Sequence, residues 1–242
     1  MDTLRFALVG TGNIAGTYVA ACAKVPEVEI VAVVSRDADR AESFAAEQDL
    51  PAEAAAGLDA VETPFDAVIL ATPNGAHHAG AVQAARLGKH VLAEKPLDIT
   101  PEHCDEMIAA CRDAGVRLGC TYMRRTRDTN RAVKRLLDDG AFGRVYGADL
   151  SMKLYRPQAY YDSGAWRGTW ALDGGGPFIQ QGSHDIDLVC WLLGKPSTAV
   201  AETGTFGHTR IEVEDHGAAV LRLADGGILS VLASTVARPG FS

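Results

Sequence analysis

Short apolar runs alternate with amphipathic, alanine-rich segments through the first half of the chain. The runs are five to seven residues long and mostly apolar, as is typical of parallel strands that helices cover on both faces. This alternation predicts an α/β domain built on a parallel sheet. The predicted strands are residues 4–9, 29–34, 67–71, 89–93 and 116–122, and the predicted helices are 13–24, 38–48, 75–88 and 101–115.

The pattern changes after about residue 123. Long β-prone segments then dominate, and two predicted helices, 128–137 and 174–193, lie among them. Consecutive strands with few helices between them favour an antiparallel sheet with one face covered. We therefore predict two domains, an α/β domain over residues 1–122 and an α+β domain with a largely antiparallel open sheet over 123–242. The predicted strands of the second domain are 145–154, 199–206, 217–223 and 227–235.

A glycine-rich turn, GTGNIA at residues 10–15, joins the first predicted strand to the first predicted helix. Gly10 permits the tight turn, Gly12 lets a pyrophosphate approach the backbone, and Ala15 is small enough for the helix to pack on the strand. The dipole of that helix favours phosphate at its first residues. The turn predicts a Rossmann domain that binds NAD or NADP, with Gly10, Gly12, Asn13 and Ile14 as contacts.

The residues after the second predicted strand bear on the choice of cofactor. NAD sites usually place a carboxylate here for the ribose hydroxyls, whereas an arginine suits the 2′-phosphate of NADP. This chain has Ser35 where the carboxylate is expected, followed by Arg36, whose guanidinium matches a phosphate. We therefore expect both residues to contact the cofactor and NADP to be preferred over NAD. Asp37 follows directly and argues for NAD.

Two side chains suit proton and charge chemistry on an alcohol. Lys95 follows the predicted strand 89–93, and ligands of open α/β sheets bind at the carboxyl ends of strands, so Lys95 and a nicotinamide are expected to face one crevice. His184 lies on the predicted helix 174–193, four residues after Gln180, so the two share a helical face. Its imidazole titrates near working pH and suits a proton acceptor; a purely structural histidine is the alternative.

Composition narrows the class of protein. The 242 residues carry a formal net charge of −8, which argues against a general nucleic-acid binder. Arg124 and Arg125 follow a predicted strand, where one of them can reach an anionic group of a substrate. Five scattered cysteines without a CxxC pair indicate reduced thiols and a cytoplasmic protein. We expect neither a membrane span nor a metal site, since no apolar run is long enough and no ligand pair has metal spacing.

Four motifs in matching order resemble the glucose–fructose oxidoreductase, inositol dehydrogenase and rhizopine-catabolism family, written Gfo/Idh/MocA. The resemblance covers nearly the whole chain. It rests on GTGNIA at 10–15, ATPNGAH at 71–77, GKHVLAEKP at 88–96, and the segment from GGG at 174–176 to HDIDL at 184–188. It implies an oxidoreductase that transfers hydride between a nicotinamide cofactor and a hydroxyl or carbonyl carbon of a sugar, inositol or related polyol.

The resemblance also implies roles for single residues. Lys95 is expected to be the active-site lysine and His184 the acid–base histidine, in keeping with the need to stabilise charge on an alcohol oxygen and to accept its proton. The expected contacts of the nicotinamide end are Thr72, Pro73, Asn74, His77, Glu94 and Lys95. The expected substrate contacts are Lys95, Trp166, Arg167, Gln180 and His184, with Tyr122, Arg124 and Tyr161 as weaker candidates.

Two departures from the family pattern leave alternatives open. Gln180 stands where many relatives have aspartate, and glutamine cannot titrate. Relatives also continue with further strands beyond residue 242, so we expect a truncated or short variant with an open sheet edge. Both departures favour a non-catalytic NAD(P)-binding sensor as an alternative. A glycosidase-like enzyme with tightly bound NAD is a separate alternative. An exposed sheet face in the second domain favours a homodimer or tetramer.

Overall fold

The computed structural model describes residues 3–241. Met1, Asp2 and Ser242, which the predicted domain ranges include, lie outside these residues. The chain folds into two compact units, Met1–Thr121 and Tyr122–Ser242, which are described separately below.

The first unit is a six-stranded parallel sheet in the order β3-β2-β1-β4-β5-β6. The order reverses beside β1, since β2 and β3 lie on one side of it and β4, β5 and β6 on the other. Such a reversal opens a crevice at the carboxyl ends of the central strands. The strands are β1 (Leu4–Val9), β2 (Val28–Val34), β3 (Glu53–Ala55), β4 (Ala67–Leu70), β5 (His90–Ala93) and β6 (Leu118–Cys120).

Helices on both faces bury the central strands of this sheet. They are α1 (Asn13–Cys22), α2 (Ala38–Glu47), α3 (His77–Arg86) and α4 (Pro101–Asp113). Every residue of β4 is buried, and two apolar clusters lie on opposite sides of the sheet because successive side chains of a strand point to opposite faces. The predicted α/β fold with a parallel sheet is therefore confirmed.

The second unit is built on a five-stranded sheet in the order β11-β7-β10-β9-β8. The pair β7–β10 is parallel and the other three pairs are antiparallel, so the predicted largely antiparallel sheet is confirmed. Its strands are β7 (Gly147–Tyr155), β8 (Pro196–Gly204), β9 (His216–Leu223), β10 (Ile228–Ser234) and β11 (Val236–Phe241). Its helices are α5 (Asp128–Asp138), α6 (Gln158–Asp162) and α7 (Ser183–Leu193).

One face of this second sheet is covered. Ile186, Val189 and Leu193 of α7 pack against the buried cluster of Leu150, Leu223, Leu229 and Val231. The opposite face is open and carries a groove of about 580 Å³ that includes Asp149, Lys153, Val200, Val220 and Ser230. Val200 and Val220 are direct partners across β8 and β9 and are 76% and 55% exposed.

Three short elements and one boundary differ from the predictions. β3, α6 and β11 were not predicted. The three residues of β3 and the five of α6 are too few to show a period, and β11 contains Pro239 and Gly240, which are depleted in strands. The predicted helix 174–193 is wrong in its first nine residues, since α7 begins only at Ser183. Residues 174–182 form consecutive turns instead, with the Gly182 amide donating to the Pro177 carbonyl at 2.7 Å.

Within the described residues, no helix has the length and apolar character needed to cross a membrane.

Candidate active site

The glycine turn after β1 has the geometry that a bound dinucleotide requires. Gly10 has φ +105°, and a Cβ there would lie 2.6 Å from the Ala71 carbonyl oxygen, so only glycine fits. Gly12 has the ordinary angles φ −82° and ψ 178°, yet a Cβ there would meet nothing within 4 Å. Neither strain nor packing within the chain requires glycine at position 12, and open space above it suits the close approach of a pyrophosphate. Ala15, fully buried, packs α1 onto the sheet.

The segment after β2 and the first turn of α2 carry two arginines and a capping aspartate. Arg36 is exposed, and Asp37 caps α2 by accepting the Asp39 amide at 3.1 Å. Arg40, one turn further on, donates from Nε to the Thr11 hydroxyl at 2.9 Å and so contacts the glycine turn. Arg40 lies in the first turn of α2, whereas Arg36 precedes the residue that caps this helix; Arg40 was missed in the sequence.

The segment after β4 is tied to the segment after β5 by His77. This side chain is fully buried, and its Nδ1 lies 3.0 Å from the Pro96 carbonyl while its Nε2 lies 3.1 Å from the Thr72 carbonyl. His77 therefore links the segment after β4 to the segment after β5, and both of its ring nitrogens lie beside backbone carbonyls. Asn74 is also buried. The buried Thr72 hydroxyl has no hydrogen-bond partner among the described residues.

Glu94 and Lys95 follow β5 on the same edge of the sheet. Glu94, 8% exposed, accepts the Tyr18 hydroxyl at 2.8 Å and the Thr121 hydroxyl at 3.0 Å on one oxygen. Its other oxygen accepts the Lys95 amide at 2.9 Å. Burial raises the pKa of Tyr18 above its usual value, which keeps the donating hydroxyl protonated. Tyr18 was missed in the sequence, because only the fold brings α1 beside the end of β5.

In the second unit, the glycines before α7 allow two backbone segments to approach closely. A Cβ on Gly176 would lie 1.8 Å from the Glu214 carbonyl oxygen, so this position admits only glycine. Gln180 lies in the following turns, is 8% exposed and donates to the Asp173 carbonyl at 3.3 Å. Since Gln180 precedes the helix that carries His184, the prediction that the two share a helical face is wrong.

His184 is the second residue of α7 and half-buried. Its ring meets the Tyr122 ring edge-on, with the centroids 6.2 Å apart. Arg124 forms an ion pair with Asp185, whose pKa burial raises. The Arg124 guanidinium and the carboxylate of Asp185, the residue next to His184, are therefore paired with each other.

The two arginines after the predicted strand 116–122 each form an ion pair with α7. Arg124 is paired as above, and Arg125 donates from Nε to the Asp187 carboxylate at 2.7 Å. That one of them reaches an anionic group of a substrate stays a prediction. The helix α7 supplies both carboxylates, from the motif HDID at residues 184–187.

Trp166 and Arg167 lie together beyond α6. The Arg167 guanidinium carbon is 4.6 Å from the centre of the Trp166 ring and 4.4 Å from that of Tyr160. Tyr161, a weaker candidate for substrate contact, is instead 6% exposed, and its hydroxyl lies 3.0 Å from that of Thr235. It belongs to the core of the unit, whereas Tyr160 is half-buried, because successive side chains of a helix point in directions about 100° apart.

Among residues 3–241, no group of three or more histidine, cysteine or acidic side chains is arranged to hold a metal ion. All five cysteines are free thiols.

The first unit combines a parallel sheet of reversed order with a glycine turn at its centre, and the second unit has a mixed sheet with one covered face. This combination is typical of two-domain NAD-binding oxidoreductases. A family described as "Oxidoreductase family, NAD-binding Rossmann fold" matches residues 4–122, and the Gfo/Idh/MocA C-terminal domain matches residues 130–241. The chain belongs to the Gfo/Idh/MocA oxidoreductase family, so that resemblance is confirmed.

Named relatives act on sugars and inositols. The chain is 32% identical to 1,5-anhydro-D-fructose reductase of Ensifer adhaerens, over 93% of this chain and 67% of that protein. It is 39% identical to the scyllo-inositol 2-dehydrogenase (NADP(+)) IolU of Bacillus subtilis (strain 168), over 48% of this chain and 35% of that one.

Among solved structures, the WlbA dehydrogenase from Bordetella pertussis, in complex with NADH and UDP-GlcNAcA, is 36% identical with a TM-score of 0.93. The match covers 99% of this chain and 69% of that one. The chain thus spans about two thirds of the length of the reductase and of WlbA.

Proposed function

We propose that this chain is an NAD(P)-dependent dehydrogenase or reductase acting on a CH–OH group of a sugar, inositol or related polyol. The observation that carries this proposal is the open space above Gly12, at the same sheet edge as Lys95. The unpartnered hydroxyl of Thr72 also fits a polar ligand there, because buried polar groups are normally hydrogen-bonded. Membership of an NAD-binding oxidoreductase family supports the same reading.

Each catalytic residue has one task in this proposal. A bound nicotinamide supplies the hydride acceptor or donor. The Lys95 ammonium stabilises negative charge on the substrate oxygen, and its backbone amide is held by Glu94. The imidazole of His184 accepts or returns the hydroxyl proton. Because Gln180 cannot titrate, His184 and Lys95 carry the proton and charge chemistry without a carboxylate at position 180.

We propose that NADP(H) is preferred. Arg36 and Arg40 follow β2 in the chain, where NADP sites use positive charge to hold the 2′-phosphate. Asp37, the residue that argues for NAD, has an oxygen engaged in capping α2. Arg36→Ala combined with Arg40→Ala is expected to weaken NADPH binding by about tenfold or more, on the scale of charge-assisted hydrogen bonds, and to leave NADH binding nearly unchanged. Equal losses for both cofactors would contradict the preference.

We further propose that the substrate is a sugar derivative or polyol and that the chain forms a homodimer or tetramer. The relatives named above support the first part, since they are named for an anhydrofructose and an inositol, and WlbA was solved with UDP-GlcNAcA. The open face of the second sheet supports the second part, because exposed apolar strand residues such as Val200 and Val220 favour burial against another copy.

Substitution at Gly12 tests the cofactor site directly. Gly12→Val is expected to leave the free energy of unfolding within about 0.5 kcal/mol of the parent, since its backbone angles suit any residue and its side chain enters open space. The same variant is expected to abolish NADPH and NADH binding, measured by quenching of protein fluorescence. Full binding by a folded Gly12→Val protein would refute the site.

Lys95→Ala tests the chemical step, with the exposed Lys24→Ala as its matched control. Cofactor oxidation and reduction are followed at 340 nm with a panel of sugars, inositols and sugar acids. We expect kcat to fall by a factor of about 10²–10⁴ in Lys95→Ala and to be unchanged in Lys24→Ala. Tight cofactor binding without turnover of any substrate would instead favour a non-catalytic sensor.

A further inference from the structure

Two arginines meet one tyrosine in the second unit, in an arrangement that the proposed catalytic roles do not use. The Arg156 guanidinium carbon lies 4.9 Å from the centre of the Tyr160 ring, and that of Arg167 lies 4.4 Å from it. All three residues are half-buried. Gln181, just before α7, donates from its amide to the Tyr160 hydroxyl at 3.3 Å. We call Arg156, Tyr160, Arg167 and Gln181 the arginine cluster.

The positive charges of this cluster are not neutralised within the part of the chain that the structure describes. No carboxylate oxygen lies within 4 Å of either guanidinium among the described residues, whereas three other arginines of the same unit form ion pairs: Arg124 with Asp185, Arg125 with Asp187, and Arg210 with Asp162. In a chain of net charge −8, this cluster gathers two half-buried guanidinium groups around one tyrosine ring without a carboxylate from residues 3–241 beside either. They favour an anionic ligand.

The hydrogen bonds within the cluster leave some of its donors and one acceptor without partners among the described residues. The Tyr160 hydroxyl oxygen accepts from Arg167 at 2.9 Å and from Gln181, which uses both lone pairs and leaves its hydrogen to donate. The buried Nε of Arg156 has no acceptor among the described residues. Conversely, the buried Oε1 of Gln181 has no donor there. A ligand would therefore have to supply acceptors for the Tyr160 hydroxyl and the Arg156 Nε, and a donor for the Gln181 Oε1.

We propose that the arginine cluster binds an anionic group of the substrate, a carboxylate or a phosphoryl group, and that Gln181 accepts a hydrogen bond from a neighbouring hydroxyl. Guanidinium groups match the oxygen pairs of both anions, and contact with aromatic rings holds the guanidinium plane in place. The substrate is then a sugar acid, a sugar phosphate or a nucleotide sugar rather than a neutral polyol. That the bound anion is a substrate rests on the proposed function. Binding of an anion to the arginine cluster does not itself require hydride transfer.

Calorimetric titration of the chain tests the inference, with D-glucose as the neutral reference and NADH present so that no alcohol is oxidised. D-Glucuronate tests a carboxylate, D-glucose 1-phosphate a phosphate, and UDP-glucose a diphosphate. At least one anionic probe is expected to bind about tenfold or more tightly than glucose. Arg156→Gln and Arg167→Gln are expected to remove that preference, and Arg167→Lys to restore part of it. Arg131→Gln, which removes an exposed arginine of α5, is the matched control.

The inference is overturned if no anionic probe binds more tightly than glucose, or if Arg131→Gln weakens binding as much as the cluster variants do. Chemical modification of the parent protein by phenylglyoxal covers the case in which a variant does not fold. The preferred anion is expected to protect Arg156 and Arg167, and not Arg131, in peptides analysed by mass spectrometry; equal labelling with and without the anion also overturns the inference.

The inference and the proposed function fail in different ways. Anion binding through the cluster without any change in cofactor absorbance would refute the dehydrogenase and leave the anion site intact. Turnover of neutral polyols at a KM that Arg156→Gln and Arg167→Gln do not change would leave the dehydrogenase and refute the anion site.

Discussion

The hydroxyl of Tyr18 is expected to fix Glu94, and hence the backbone of Lys95, at the end of β5. Tyr18→Phe deletes only that hydroxyl and leaves the ring in place. The lost bond, 2.8 Å long, ends on a carboxylate that is 8% exposed. Hydrogen bonds to charged groups contribute about 1.5–3 kcal/mol, and the orphaned oxygen keeps only the Thr121 hydroxyl. We therefore expect the free energy of unfolding to fall by about 2 kcal/mol.

Urea denaturation followed by circular dichroism measures this loss. Tyr146→Phe is the matched control, because Tyr146 is 83% exposed and its substitution is expected to change stability by less than about 0.5 kcal/mol. Cofactor affinity measured on both variants reports whether the position of Glu94 matters to binding. If Tyr18→Phe is as stable as Tyr146→Phe and binds cofactor equally well, Tyr18 does not hold Glu94.

The pH dependence of the same variant gives a second readout. Burial raises the pKa of Tyr18 in the folded chain, so above about pH 10 the unfolded chain loses this proton first. The unfolded state then binds fewer protons than the native state, and stability falls as pH rises. The parent is expected to lose up to about 1.4 kcal/mol per pH unit more than Tyr18→Phe in that range. Parallel curves would refute the cause assigned to the shift.

Three further outcomes are expected. Gly10→Ala should lower the free energy of unfolding by about 2 kcal/mol or more, because the φ of Gly10 is +105° and the Ala71 oxygen blocks a Cβ. The control Gly57→Ala, at φ −173° and in open space, should lower it by less than about 0.5 kcal/mol, and equal losses would contradict strain at Gly10. The Arg5 guanidinium lowers the pKa of Asp66 from its ordinary 3.8 to about 2. The free energy of unfolding of Asp66→Asn should therefore be lower than that of the parent by less than about 1 kcal/mol at neutral pH, and the difference should vanish between about pH 4 and pH 2, where the carboxylate is protonated; a difference that does not depend on pH would indicate a packing effect. Val200→Lys combined with Val220→Lys should shift the sedimentation coefficient to that of a monomer without lowering stability, and an unchanged oligomer would exclude the open sheet face as its interface.

The arrangement of strands and helices in the first unit was largely predictable, because its strands are covered on both sides and therefore read as continuous apolar runs. The glycine turn was also predictable, since Gly10 has a backbone angle that only glycine adopts readily. β3 was missed because its three residues show no period. The overlong helix 174–193 was predicted because periodicity does not register the turns that Gly176 and Gly182 permit.

What the sequence by itself determined is the order of elements, the family and the residue types available for chemistry, because local backbone preferences and apolar periodicity act between near neighbours. Only the tertiary structure decided which of those residues are engaged. Arg124 and Arg125 form ion pairs with α7, while Arg156 and Arg167 meet no carboxylate among the described residues. Tyr18 and Glu94, 76 positions apart, become partners. Charge compensation depends on distances that the fold alone sets, and no local pattern records them.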